Sequence, residues 1–563
     1  MRTLAKLRLL LATTFPLEAN LAYRVVQKVH PALVSRLVRT CITKKDTQYL
    51  GRLIPLVRGN IQKPSSESPF CNPPKLPLLS TNPNSTPALP RRDPLAFDLD
   101  GNGIQTLGQD AGVHFDHDGN GFYERTGWVG GGDGLLVWDR NGDGIINDGS
   151  ELFGDQSRLK NGSLAANGFQ ALAEYDDNGD GIIDSQDAIW SQLGVWVDTG
   201  FDGIGADGIS DSFVGLSEVQ SLEQLGISAI NLASSSVNVP DGLGNSKTQI
   251  GSFVWADGTT GEIATYALQR DTANTTYDGV SIDAAVEALP DADGSGNVYG
   301  LREAMARDTS GQLKALVESF VTETSASNRN ALIEQIMLKW IGADMLSATS
   351  RGPNMDGRHV AVLEAFYGRP FNNPDAAQAV QWQVIYRDIV EGYYAVLMSQ
   401  SHLKSLYDNT DFDLDPNTLQ STVEDLTPVA VLLQAELLAN PEVGKTLLSE
   451  FARTLRGFSV EQSGNYLSFR ESFLELDPTL GPVIDAGGLP VITRRGQGDF
   501  PYSNHVLGTN RSEAVLWDYT QGGDGTVNGY SGNDVLYGSP FNDNLIQELG
   551  NGVLVAGAGN DRL

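Results

Sequence analysis

Between Asp98 and about Glu218 the chain carries five acidic loops, four of them repeats of Asp-x-(Asp/Asn)-x-(Asp/Asn)-Gly. Alternate side-chain oxygens at that spacing wrap one hard cation, which takes roughly six to eight oxygen ligands. The fullest loop is DDNGDGIIDSQD: Asp176, Asn178 and Asp180 stand at positions 1, 3 and 5, Gly181 supplies the sharp turn, Ile183 points back to the core and Asp187 falls at position 12. A second loop has Asp139, Asn141, Asp143, Gly144 and Ile146, with its distal acid Glu151 one residue later than the standard spacing. Asp98/Asp100/Asn102 and Asp116/Asp118/Asn120 repeat the proximal triad without a clear position-12 acid, Glu124 being the candidate to close the second. The fifth region is irregular, with Asp198, Asp202, Asp207 and Glu218 spread by an insertion. One such run is an ordinary solvated turn. Four in succession predict several bound calcium ions.

Just before the first loop stands an Asp-Pro bond, Asp93-Pro94. Proline nitrogen carries no N–H, so its tertiary amide twists and protonates more easily than a secondary one. The Asp93 carboxyl can attack its own main-chain carbonyl as an internal nucleophile, expelling Pro94 and leaving a cyclic anhydride for water or a lysine amine to open. Asp415-Pro416 and Asp477-Pro478 are the same bond without a flanking loop. Taken alone, Asp93-Pro94 reads as a linker turn.

The elements that must hold these groups are partly legible. Phe169, Leu172 and Ala173 precede the fullest loop, and Ile189, Trp190 and Leu193 follow it, spaced as the apolar stripes of short helices; helix-loop-helix is the expected setting. GLLVW, LGVWV and the runs in SKTQIGSFVWADGTTGEIATYAL read as strands, with Asp257-Gly258 as a hairpin turn. Helical periodicity follows at Leu313, Leu316, Val317 and Phe320, at Leu332, Ile333, Ile336 and Trp340, at Trp382, Ile385 and Ile389, and from Val429 to Leu455. No nucleophile-base constellation stands out there, and Asp291-Ala-Asp293-Gly-Ser295-Gly reads as a linker turn. The last forty or so residues contain nine-residue repeats, GYSGNDVLY, GSPFNDNLI and AGAGNDRL, with Asp534, Asp543 and Asp561 in register and Leu536, Leu545 and Leu563 behind them. Stacked turns of this kind form a parallel β-roll in which Asp side chains clasp calcium. The chain stops inside a repeat, as a truncated copy of something longer would.

The fold class expected is multidomain α+β: a basic N-terminal segment (1–59), a Pro/Ser-rich linker (60–93), an EF-hand-like calcium-loop domain (94–270), a linker (271–300), an all-α region (301–485), a connecting segment (486–520) and the start of the β-roll (521–563). Net charge is -31, but residues 1–93 carry 15 Lys/Arg against 4 Asp/Glu, leaving -42 on the remainder. An acidic body of that size repels nucleic acid and anionic membrane and attracts divalent cations. The only cysteines, Cys41 and Cys71, lie in the basic part, so the acidic body has no thiolate ligand. His30, His114, His117, His359, His402 and His505 never make an HExxH, which excludes a zinc-hydrolase motif, and His117 reads as filling a variable loop position. No run of eighteen apolar residues predicts a spanning helix.

DPLAFDLDGNG, then GLLVWDRNGDGIINDGSELFGD and a downstream DGTT, together with the terminal repeats, resemble the iron-regulated Frp-type RTX proteins and above all their self-processing module. The resemblance covers about Pro94 to residue 270. It implies calcium-triggered, single-turnover self-cleavage at Asp93-Pro94, followed by an isopeptide link from Asp93 to a lysine of a protein or cell-surface partner. It also implies calcium ligands at Asp98, Asp100, Asn102, Asp116, Asp118, Asn120, Asp139, Asn141, Asp143, Glu151, Asp176, Asn178, Asp180 and Asp187, and secretion by the type I route, although the C-terminal signal expected for it is not evident. The irregular fifth loop and the short N-terminal part depart from the family pattern. A non-enzymatic, calcium-dependent structural or adhesive protein is the other reading that the residues leave open.

Overall fold

The computed structural model describes residues 91–130, 132–198, 218–414, 421–458 and 465–487, and between 491 and 563 the segments 491–493, 505–507, 514–516, 525–531, 534–538, 542–549, 552–556 and 559–563. The basic segment, the linker up to residue 90, Cys41, Cys71, His30, Asp202, Asp207 and the Asp415-Pro416 bond lie outside the described residues.

The strands of the first part are β1 (Arg91–Arg92), β2 (Leu95–Phe97), β3 (Gln105–Leu107), β4 (His114–Phe115), β5 (Tyr123–Thr126), β6 (Trp128–Gly130), β7 (Gly134–Val137), β8 (Ile182–Asp184), β9 (Gly194–Trp196), β10 (Val219–Ser221), β11 (Ile227–Asn231), β12 (Ser235–Pro240), β13 (Ser246–Trp255) and β14 (Thr260–Thr276). They build a curled antiparallel sheet in the order β10-β9-β7-β2-β14-β13-β11-β8, with β1 and β5 also on β14. The β13–β14 hairpin turns at Asp257-Gly258, where Gly258 takes φ 86° and Asp257 accepts the Thr259 N–H. Period-two alternation sends Leu95, Phe97, Phe253 and Ile263 into one core with Phe153, Phe169 and Ile183. Ala96, Ala264, Tyr266 and Leu268 face a second core with Phe115, Trp128 and Trp196. Each fully buried side chain of that size contributes about 1.5–3 kcal/mol, so the sheet has an apolar layer on both faces.

The single α-helix among the described residues of this part, α1 (Gly168–Ala173), is capped by Asn167, whose side chain accepts the Gln170 N–H. It precedes the fullest acidic loop. The expected second helix does not follow: residues 182–184 pair with β11, and Trp190–Gln192 makes only a 3-10 turn. The stripe at Ile189, Trp190 and Leu193 stops short because Gly194–Trp196 is already strand β9, paired with β7 and β10, so the setting is helix-loop-strand.

Beyond β14 come α2 (Ala284–Glu287), α3 (Leu301–Arg307), α4 (Gln312–Thr322), α5 (Ala326–Trp340), α6 (Gly357–Phe366), α7 (Ala376–Gln400), α8 (Lys404–Tyr407), α9 (Thr427–Ala439), α10 (Pro441–Gly457), α11 (Asn465–Leu476) and α12 (Gly481–Gly487). Val317, Phe320, Ile336, Phe366, Tyr393, Leu433 and Phe451 share its core. The region is not purely helical, because β15 (Asp411–Leu414) and β16 (Ser421–Asp425) form an antiparallel pair inside it. No helix among the described residues is long and apolar enough to cross a membrane.

At the C-terminal end β17 (Val491–Thr493), β19 (Ala514–Leu516), β21 (Val535–Tyr537) and β23 (Val553–Val555) form one parallel sheet, and β18 (His505–Leu507), β20 (Thr526–Ser531) and β22 (Asn544–Leu549) another. Val515, Val527, Leu536 and Leu545 are buried together. All these described residues belong to one compact unit.

Candidate functional site

The four regular loops share one hydrogen-bond frame. In each, the first Asp accepts the backbone N–H three residues on and the one five residues on: Gly101 and Gly103 to Asp98, Gly119 and Gly121 to Asp116, Gly142 and Gly144 to Asp139, Gly179 and Gly181 to Asp176, all at 2.7–3.1 Å. The eight glycines all take positive φ, between 70° and 92°. That conformation is why glycine recurs there.

A second feature repeats. The N–H of the residue after the first Asp donates to a distal carboxylate: Leu99 to Asp133, His117 to Glu124, Arg140 to Glu151 and Asp177 to Asp187, at 2.8–3.1 Å. Each of these acids is almost wholly buried. By this criterion the acid that closes the first loop is Asp133, which also accepts the Gln105 N–H at 2.7 Å. Carboxylate oxygens of Asp98, Asp100 and Asp133 lie within 4.8 Å of one another.

The donor sets suit a hard cation. They are carboxylates and Asn amides, and the one ring among them, His117, is buried with Nε2 on Thr126 Oγ1 at 2.9 Å; it is a core residue, not the filler of a variable position. Burial raises the carboxyls of Asp116 and Glu151 and lifts Asp133 to about 6, the charges of Asp100 and Asp98 adding to the last. A divalent ion offers the positive charge that such buried acids lack.

Of the remaining predicted ligands, Asn102, Asn141, Asp143, Asn178 and Asp180 sit on exposed loop backbones, Asn141 and Asn178 each donating to the acid two residues on. Asn120 accepts the Phe122 N–H at 2.8 Å. Asp118 points instead toward Arg92, 3.5 Å away, and Arg270, 3.9 Å away. In the fifth region Glu218 accepts the Trp196 indole N–H at 3.2 Å, which ties it to the sheet. In the C-terminal stack Asp543 accepts the Gly525 N–H and Asp561 the Asp543 N–H, both across 18 residues, twice the nine-residue repeat. Asp534 is buried, and its carbonyl accepts the Val553 N–H.

Asp93-Pro94 is not a linker turn. Arg91 and Arg92 pair with Gln269 and Leu268 on β14, and Leu95, Ala96 and Phe97 pair with Thr265, Ala264 and Ile263. One register therefore runs unbroken through the bond, placing Pro94 opposite Tyr266, whose N–H reaches the Pro94 carbonyl at 3.3 Å. The missing proline N–H is the one interruption of the ladder. Phe153, Gly154 and Asp155 cross over the same bond. The Phe153 carbonyl accepts the Leu95 N–H at 2.9 Å, and the Asp155 N–H donates to Asp93 Oδ1 at 2.9 Å. A Cβ on Gly154 would lie 3.1 Å from the Asp93 carbonyl oxygen and 3.3 Å from its carbon. Burial, with the neighbouring Asp155 charge, lifts the Asp93 carboxyl to about 7.

Both neighbouring loops reach this junction. Glu151, the distal acid of the third loop, lies in the same short segment as Asp155. On the other side Arg92 bridges Asp155 at 3.3 Å and Asp118 at 3.5 Å, while buried Arg270 pairs with Glu124 at 2.5 Å. The control bond Asp477-Pro478 differs: Asp477 caps a 3-10 turn by accepting the Thr479 N–H, on an exposed segment.

Asp133, Gly154, Asp155 and Arg270 escaped the sequence reading. Asp133 is far along the chain from Asp98, and the others act only through sheet register, so spacing gave no signal for them.

A curled sheet carrying acidic loops around an embedded Asp-Pro bond defines the class of domain. Residues 95–269 match the SPM domain family, the matched span beginning one residue past Pro94 and ending within β14. The chain is also 38% identical over 255 residues to "Iron-regulated protein FrpA" of Neisseria meningitidis serogroup C, a match covering 45% of this chain and 22% of that relative. Over that stretch the chain is Frp-like, and the match spans about a fifth of the relative's length.

Proposed function

We propose that residues 94–270 form a calcium-loaded self-processing module that breaks the Asp93-Pro94 bond once. The observation carrying this reading is the partly buried Asp93 carboxyl, bonded to the Asp155 N–H beside its own carbonyl, in a junction tied to two acidic loops. Asp98, Asp100, Asn102 and Asp133 would hold one ion, and the sets ending in Glu124, Glu151 and Asp187 would hold others. The chemistry such ions supply is charge compensation, which lets these carboxylates stay gathered.

The steps belong to the chain. The Asp93 carboxylate oxygen attacks the Asp93 main-chain carbonyl carbon, and the C–N bond to Pro94 breaks with its electron pair passing to nitrogen. A proton from solvent completes the new amine. Water then opens the cyclic anhydride to leave Asp93 as a C-terminal residue, or a lysine amine opens it to form an isopeptide and releases a proton. Holding the carboxyl against the carbonyl supplies the proximity term, which reaches about 7–11 kcal/mol in well-oriented systems.

The parallel C-terminal stack, with hydrogen bonds 18 residues apart, supports an RTX-type β-roll and an extracellular protein that folds in calcium. Purified protein held in chelator and then given millimolar calcium should yield two fragments separating at 93/94, whereas Asp93→Ala should remain whole. Wild type that remains whole favours the structural or adhesive reading.

A further inference from the structure

The helical region contacts the loop beside the processing junction. Residues 291–300 form a strap fixed from both sides. Toward the sheet, the Gly296 N–H donates to the Ala273 carbonyl at 3.0 Å and Thr275 Oγ1 donates to the Gly296 carbonyl at 2.6 Å. Toward the helices, the Asn297 N–H donates to the Ala365 carbonyl at 2.8 Å, Trp340 Nε1 to the Tyr299 carbonyl at 2.9 Å and Tyr393 OH to the Asp293 carbonyl at 2.9 Å.

From this strap two side chains reach the second loop. Asn297 Oδ1 accepts from Asn120 Nδ2 at 3.3 Å, and the Tyr299 ring lies 4.5 Å from the ring of buried Phe122, with Tyr277 and Arg307 packed around it. Asn120 and Phe122 stand between Asp118 and Glu124, the acids that engage Arg92 and Arg270. The path from helical core to Asp93 is thus a run of direct contacts.

We propose that the helical region is a clamp on the second loop, with Tyr299 and Asn297 as positioning residues that hold it, and through Arg92 the Asp93-Pro94 junction, in the competent geometry. The clamp rests on the processing function above, but its effect on the loop does not. The helical core is built without the loops, so it presents Tyr299 and Asn297 whether or not an ion is bound, and the loop has less ordering to pay on binding.

The test compares full-length wild type with Tyr299→Ala, Asn297→Ala and, as a control inside the helical core away from the loop, Val317→Ala. Calcium chloride titrations are followed by calorimetry and by cleavage at 93/94. Tyr299→Ala should weaken one class of sites at least threefold and raise the calcium needed for half-maximal cleavage by a similar factor, Asn297→Ala acting in the same direction and Val317→Ala leaving both unmoved. Unchanged calorimetry in Tyr299→Ala and Asn297→Ala, with helical circular dichroism retained, would overturn the clamp. If Tyr299→Ala loses its helical signal, Asn297→Ala decides. If wild type stays whole in calcium, the processing reading fails, and the clamp stands or falls on the calorimetry alone.

Discussion

Asp93 is partly buried, with its carboxyl tied to the Asp155 N–H. Its carboxyl, lifted to about 7 by burial and then by Asp155, is mostly neutral in mildly acidic solution, while attack requires the carboxylate. Cleavage at saturating calcium should therefore rise about tenfold per pH unit below neutrality and flatten above about pH 7, measured by the rate of fragment appearance. Asp155→Asn removes the repelling charge and keeps the backbone donor, so the profile should move to lower pH; an unmoved profile would show that another group sets it. Gly154 gives a steric counterpart. Its missing Cβ leaves room for the Asp93 carbonyl and Pro94, and Gly154→Ala should slow cleavage by about a hundredfold through misplacement alone, with calcium affinity retained. Neither residue was legible in the sequence. The Asp-Pro bond was visible, but its partners come from a segment that only the β14 register and the Phe153–Leu95 bond bring across it.

At the scale of elements, the acidic loops were legible because their information is local: Asp, Asn and Gly at fixed offsets impose the turn whatever surrounds it. Their closing acids were legible only where they fall within the loop, as Asp187 and Glu151 do. Asp133 belongs to the turn between β6 and β7, and it meets the first loop because β3 pairs with β6 and β2 with β7. Asp133→Ala leaves the N–H groups of Leu99 and Gln105 without an acceptor, a loss of about 1.5–3 kcal/mol for a charge-assisted bond. The variant should take up one calcium ion fewer by calorimetry and melt about 4–8 °C lower in calcium, while exposed Asp110→Ala should match wild type. Equal stoichiometry in Asp133→Ala would remove it from the ligand set. The second helix expected after Asp187 fails for the complementary reason: after one 3-10 turn at Trp190–Gln192 the chain enters β9, held between β7 and β10, before helical spacing can matter.

Across the whole molecule, the acidic loops and the apolar helical core obey different conditions. Asp93 and Glu124 are lifted to about 7 and Asp133 to about 6, chiefly by burial. A carboxyl raised on folding contributes stability that is complete below its unfolded value near 4 and is lost as pH rises through the folded value. His117, buried and pushed downward, works in the opposite direction, and His359, raised by its hydrogen bond to Glu334, works in the same direction as the carboxyls but in the helical region. In the sheet domain three raised carboxyls stand against one lowered imidazole, and the carboxyls set the expected trend between pH 5 and 7. In chelator the sheet domain should lose about 2 kcal/mol or more over that interval, seen as a melting temperature lower by about 4 °C or more. Saturating calcium should flatten the slope, since the acids are then compensated by the ion rather than by protons. None of these raised carboxyls lies in the helical region, whose core buries Phe320, Phe366 and Phe451 fully. Chelation at pH 7.5 should consequently relax the amides of β2, β5 and β14 in hydrogen exchange while those of α5, α7 and α10 stay protected. Joint loss of both sets would mean that the helices lean on the loops, and the direction of support between clamp and loop would have to be reversed.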